Sequence, residues 1–121
     1  MYTFIGYPRT EAQLRELAVK YDSPYADFPN AATEIAWELN DLFREDGPFR
    51  LMTALISGQV GYVFVIGMEN GDKSTIPPEL KHSTKYIFGS EPEQFSMNVN
   101  LGKWTYTSEN NVIVEAGGMI T

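Results

Sequence analysis

Residues 47–68 read Gly47-Pro48-Phe49-Arg50-Leu51-Met52-Thr53-Ala54-Leu55-Ile56-Ser57-Gly58-Gln59-Val60-Gly61-Tyr62-Val63-Phe64-Val65-Ile66-Gly67-Met68, and the fold turns on them. Gly47-Pro48 is a strong helix stop: glycine takes the left-handed position after the last turn, and proline cannot continue the helix. Beyond it the period changes. Leu51–Ile56 and Tyr62–Met68 are rich in β-branched and aromatic residues, and Gly58 lies between them, close enough for an antiparallel pair. Asn70-Gly71 is the favoured two-residue hairpin dipeptide, which predicts that Tyr62–Met68 turns back through Lys73–Ile76. Pro77-Pro78 forbids further ladder pairing.

N-terminal to the stop the pattern is helical. Asn30 is a good N-cap for a second helix running to about Asp46. At about 100° per residue, Ile35, Leu39, Leu42 and Phe43 share one face, with Ala32 and Ala36 beside it. A first helix opens at Thr10, where Thr10-Glu11-Ala12-Gln13 has capping-box spacing. Leu14, Leu17, Ala18 and Tyr21 then form one apolar stripe, and Asp22-Ser23-Pro24 ends it. Tyr25 and Phe28 are expected to pin the intervening loop to the core. Before the first helix, Tyr2–Ile5 reads as a short strand ending at Gly6 and Pro8.

C-terminal to Pro77-Pro78 the pattern is extended. Lys85–Gly89 reads as a short strand. Phe95, Met97 and Val99 alternate with polar residues, as do Trp104 and Tyr106, and Val112, Val114 and Ala116. Joined through Asn100–Gly102 and Ser108–Asn111, they predict an antiparallel meander. The expected fold is α+β: two N-terminal helices packed on one face of a mainly antiparallel sheet of five to six strands, in a single domain over residues 1–121.

Composition narrows the function classes. The 121 residues are 43% hydrophobic and 13% aromatic, enough for a core without disulfide or metal. Without cysteine there is no disulfide scaffold, thiolate zinc site, iron–sulfur cluster or cysteine nucleophile. The N-terminus has no basic stretch and too short an apolar run for a signal peptide, and no run reaches the ~18 residues of a membrane span. The expected location is therefore cytoplasmic. The net charge of −7 repels phosphate backbones and anionic membranes, so no direct nucleic-acid binding and no membrane binding is expected.

Catalytic signatures are scarce. His82 is the only histidine, which excludes paired-histidine metal sites. No nucleophile elbow, Walker A loop or dinucleotide fingerprint is present, and no cofactor is implied. The long polar stretch Met68–Gln94 gathers Lys73, Lys81, His82 and Lys85 with Glu91 and Glu93. Such a loop would hold a phosphate or nucleotide if its cations converged, possible homo-oligomer formation helping to deepen the site; if they do not converge, they are merely solvated.

The most informative feature is the polar side of the second helix. Glu34, Glu38, Asp41 and Glu45 follow i, i+4, i+7, i+11 and form a narrow acidic row. Trp37 lies beside that row, almost opposite the apolar stripe. Either the 25–29 loop covers Trp37 and the acids are a solvated face, or the face docks on a basic protein partner. The second reading describes a small acidic non-enzymatic interaction protein, such as a phage-type inhibitor or decoy acting against a host defence protein, or an immunity protein. The alternative is a small-ligand-binding protein or unusual enzyme using residues 73–93.

Overall fold

The computed structural model describes residues 3–29, 31–43, 50–70, 73–74, 76, 84–100, 103–108 and 112–119. The chain runs β1 (Thr3–Thr10), α1 (Glu11–Lys20), α2 (Ala32–Phe43), β2 (Arg50–Ile56), β3 (Gln59–Asn70), β4 (Lys73–Ser74), β5 (Glu93–Asn100), β6 (Lys103–Ser108) and β7 (Ile113–Met119). A short helical turn over 84–88 precedes β5.

The class is α+β and the pairing antiparallel, but the sheet does not lie open. Strand order is β1-β5-β6-β7-β2-β3, and β3 pairs back with β1, closing six strands into a barrel; β4 adds to β3 outside it. Closure removes the free edges that an open sheet of this size would present. It depends on β1, which reaches further than the sequence suggests. Gly6 and Pro8 do not end the strand: β1 pairs with β5 over Thr3–Gly6 and with β3 along its full length. Pro8 lies past the last β5 partner, where a missing donor costs little. Gly6 sits against β3 so closely that a Cβ there would come within 2.7 Å of the Phe64 carbonyl oxygen.

Several local signals are realised as read, but the turn after β2 is tighter than a Gly58–Gly61 turn, since β3 begins at Gln59 and takes Gly61 into the ladder. Thr10 caps α1 with a full capping box: the Gln13 amide donates to Thr10 Oγ1 and the Thr10 amide donates to Gln13 Oε1. Ser57 and Gly58 form the β2–β3 turn with φ of 49° and 84°, the positive pair that a tight hairpin demands. β4 returns from β3 with Asn70 opposite Lys73, although the turn residues 71–72 lie outside the described set. The β5–β6–β7 meander is present. One element differs in kind: the expected strand at Lys85–Gly89 is helical over 84–88. Asn30, the helix stop at Gly47-Pro48, and Pro77-Pro78 lie outside the described residues.

Two hydrophobic clusters follow from the alternation of the strands. Phe4, Met52, Ala54, Ile56, Val63, Val65, Phe95 and Val114, with Tyr106 and Val112 against them, come from every strand of the barrel and fill its interior. The opposite parity of β1, β2 and β3 supplies Ile5, Tyr7, Leu51, Tyr62, Phe64 and Ile66 to a second cluster on the barrel's outside. There they meet Leu14, Leu17 and Ala18 of α1 and Ile35, Ala36 and Leu39 of α2. Tyr25 packs against this cluster as expected, but Phe28 is exposed and touches Tyr25 edge-on at 5.7 Å.

Candidate functional site

The core stripe of α2 fixes its orientation. Ile35, Ala36 and Leu39 are buried in the outer cluster, and Thr33 Oγ1 shares a 2.6 Å hydrogen bond with Tyr62 Oη of β3, anchoring the first turn. Of the acidic row, Glu34 and Asp41 therefore face away from the barrel. Glu34 and Asp41 are exposed, and Glu38 is half-buried. Glu34 also sits in the first helical turn, where the helix dipole favours an anion. Glu45 lies outside the described residues, as do the side chains of Leu42 and Phe43.

Trp37 is half-buried, neither part of the core nor fully wet. By helical geometry it stands about 40° from Asp41 and about 60° from Asn40. Asn40 was not anticipated as a notable residue. It is fully buried, and neither its amide nitrogen nor its amide oxygen has a hydrogen-bond partner. Such a group is costly in a dry interior. The sequence does carry a signal for its burial: Asn40 follows buried Ala36 by four residues, on the flank of the apolar stripe.

Of the 73–93 stretch, residues 73–74, 76 and 84–93 are described. Lys85 is exposed and pairs with Glu91. The helical turn 84–88 packs onto the barrel through Phe88, which stacks on Tyr7 at 4.1 Å between ring centroids. Its last carbonyls attract donors from distant parts of the chain. Lys20 Nζ and Tyr21 Oη donate to the Ile87 carbonyl, and Arg9 donates to the Phe88 carbonyl and to Ser90 Oγ. Cations at a helical C-terminus are electrostatically favourable. Arg9 also lies over Phe88, its guanidinium carbon 5.1 Å from the ring centroid. Burial lowers the pKa of Arg9, opposed by Tyr7 and Glu93. The cations thus brought here, Arg9 and Lys20, are ones that spacing along the sequence does not reveal. Of the expected set, only Lys85 can be placed as a side chain. Lys73 pairs through its backbone with Asn70, and Lys81 and His82 lie outside the described residues.

Behind this turn, Tyr7 is fully buried and donates from its hydroxyl to Thr84 Oγ1 at 3.0 Å. Burial raises the Tyr7 phenol above its ordinary pKa, the hydrogen bond to Thr84 opposes that, Glu91 adds to it and Arg9 opposes it. This pair fixes the position of the turn. Among the described residues, no three histidines or carboxylates gather as a metal-ligand set. No helix is long and apolar enough to cross a membrane, among the described residues. Comparison with protein-family models, curated proteins and solved structures yields no match to this chain.

Proposed function

We propose that this protein is a non-enzymatic interaction protein that docks a basic protein partner through the outer face of α2. The observation that supports this reading is the exposure of Glu34 and Asp41 on the side of α2 turned away from buried Ile35 and Leu39, with Trp37 and Glu38 half-buried at its margins. Acids there would raise the rate of encounter with a cationic surface, and the indole beside them would supply area to desolvate. In this reading the two N-terminal helices form a layer on one side of the barrel, α1 supporting α2 and α2 meeting the partner. A small inhibitor or decoy directed at a host defence protein, or an immunity protein, would work in this way from the cytoplasm. The alternative, a phosphate or nucleotide site at 73–93, would need Lys85 to leave Glu91.

The test is capture from host lysate by the immobilised wild-type chain, followed by kinetics on what is captured. Glu38→Lys with Asp41→Lys should slow association, and the effect should shrink as salt rises past the ~10 Å screening length of 0.1 M. Trp37→Ala should mainly speed dissociation, by the equivalent of at least about 2 kcal/mol if it is a hot spot. Circular dichroism serves as the folding control. If Trp37→Ala unfolds the chain, the indole belongs to the core. If both folded variants bind like the wild type, the interface lies elsewhere.

A further inference from the structure

Exposed large apolar side chains are ordinary when scattered, and Val19, Phe28, Met68 and Tyr86 fall on four different elements. Leu55, Val60 and Ile113 do not scatter. They are 39%, 62% and 49% exposed. Leu55 and Val60 are direct cross-strand partners beside the β2–β3 turn, so their Cβ atoms stand about 5 Å apart. Leu55 also faces Glu115 of β7, and Ile113 lies two residues from Glu115 on the same side of that strand. Ile113 is thereby a diagonal neighbour of Leu55, within about 8 Å. Its backbone is tied to the turn, the Ser57 amide donating to the Ile113 carbonyl at 2.8 Å. Together these three residues make one apolar patch on the outer barrel wall.

Carboxylates border it, and Arg9, which pairs with Tyr62, is engaged instead with the Phe88 carbonyl and Ser90 Oγ. Glu115 is set directly against Leu55. Val60 lies two residues from Tyr62 on the same side of β3, and Tyr62 is bonded to Thr33, the residue before Glu34. The patch thus lies near the first turn of α2, which carries Glu34. We infer that Leu55, Val60 and Ile113 form a docking surface for a cationic amphipathic segment of a partner protein, one whose Lys or Arg side chains flank an apolar stripe. Apolar groups would cover the patch while the flanking cations meet Glu34 and Glu115. A second copy fits poorly, because two chains of net charge −7 repel, and a two-fold pairing would set like acids around both patches. This inference rests on the reading of α2 as the partner-binding face and lengthens that face onto the barrel.

The test is a titration of the full ¹⁵N-labelled chain, followed by NMR, with two probes of equal charge: a short amphipathic Lys/Leu peptide and oligolysine. The amphipathic peptide should shift the amides of Leu55, Val60 and Ile113 as well as those of Glu34, Glu38 and Asp41, whereas oligolysine should shift the α2 set alone. Val60→Ser should weaken binding of the amphipathic peptide about tenfold or more and leave oligolysine unaffected. Leu55→Ser gives a second variant should the first disturb the hairpin, and the unshifted remainder of each spectrum reports folding. If both probes move only α2, the docking patch is refuted and the α2 reading survives. If the amphipathic peptide moves the patch and neither probe moves α2, the patch stands and the α2 reading falls. If the patch amides shift with protein concentration in the absence of peptide, the patch is a self-association surface and the inference is overturned.

Discussion

Inside the barrel, the buried side chains are Phe, Met, Ala, Ile and Val, with Tyr106 at the margin. The other cluster carries Tyr7 and Tyr62, each hydrogen-bonded to a threonine, and α2 brings in buried Asn40, whose amide has no hydrogen-bond partner among the described residues. The two regions share β1, β2 and β3, whose alternate residues face opposite ways. The interior needs only volume and is supplied by every strand. The outer layer is built with directional bonds that fix where α2 and the 84–88 turn sit. The division separates a closed frame that needs only volume from a second cluster in which position is set by hydrogen bonds.

The sharpest way to probe this division is to cut each region once. Phe95 is fully buried and stacks on Phe4 at 4.8 Å, so Phe95→Ala is expected to destabilise by about 3–5 kcal/mol. Leu39, on the buried side of α2, is expected to cost about 2–5 kcal/mol when changed to alanine. Denaturant melts followed by far-UV and near-UV signals should give coincident transitions for both variants, since the clusters share three strands. A cost below about 1 kcal/mol for Leu39→Ala would show that helix docking contributes little, and the barrel would then be the folding unit by itself.

Asn40 tests the outer region from the other direction. An unsatisfied buried amide costs about 1–3 kcal/mol, so Asn40→Leu should stabilise the protein by about 1 kcal/mol and raise the denaturant midpoint. A loss of stability would mean that the amide is bonded in solution, and the contrast between a dry interior and a bonded outer layer would have to be redrawn.

How much of this was legible in the sequence depends on how local the deciding contacts are. The capping box joins Thr10 and Gln13, three positions apart, and a turn at Gly58 separates adjacent runs, so both are visible in the order of residues alone. The meander joins neighbours in sequence. Barrel closure does not: Thr3 pairs with Glu69 on one side and Ser96 on the other. Alternation tells which face a residue takes but not which strand lies beside it. The 84–88 segment has strand-like composition, yet it folds as a helical turn whose carbonyls are capped by Arg9, Lys20 and Tyr21 from the far end of the chain. Tertiary contacts override local propensity there. On α2, helical spacing separated the buried stripe from the exposed Glu34 and Asp41. It could not tell how deeply Trp37 sits, because that depends on neighbours outside the helix.

The mildest expected effect concerns Tyr7, where the outer layer meets the turn. Tyr7→Phe keeps the ring stacked on Phe88 and removes only the hydroxyl that donates to Thr84, so at neutral pH it should cost about 1 kcal/mol. The same substitution should change the alkaline limb of stability. Burial holds the phenols of Tyr7 and Tyr21 above their ordinary value of 10.0. An unfolded tyrosine loses its proton near pH 10, whereas these two keep theirs in the folded chain. Above that pH the unfolded state binds fewer protons than the folded one, so stability falls as pH rises. The contribution is complete below about pH 10 and is lost as pH climbs through the folded-state values. Tyr7→Phe deletes one of the two groups responsible. Its denaturant midpoint should therefore lie below the wild type at about pH 8, with the gap narrowing by about pH 11, while Tyr21 keeps part of the slope. A gap that stays constant across this range would mean that the Tyr7 phenol titrates as it does in the unfolded chain. The hydroxyl would then be hydrated in the folded chain rather than buried behind the 84–88 turn.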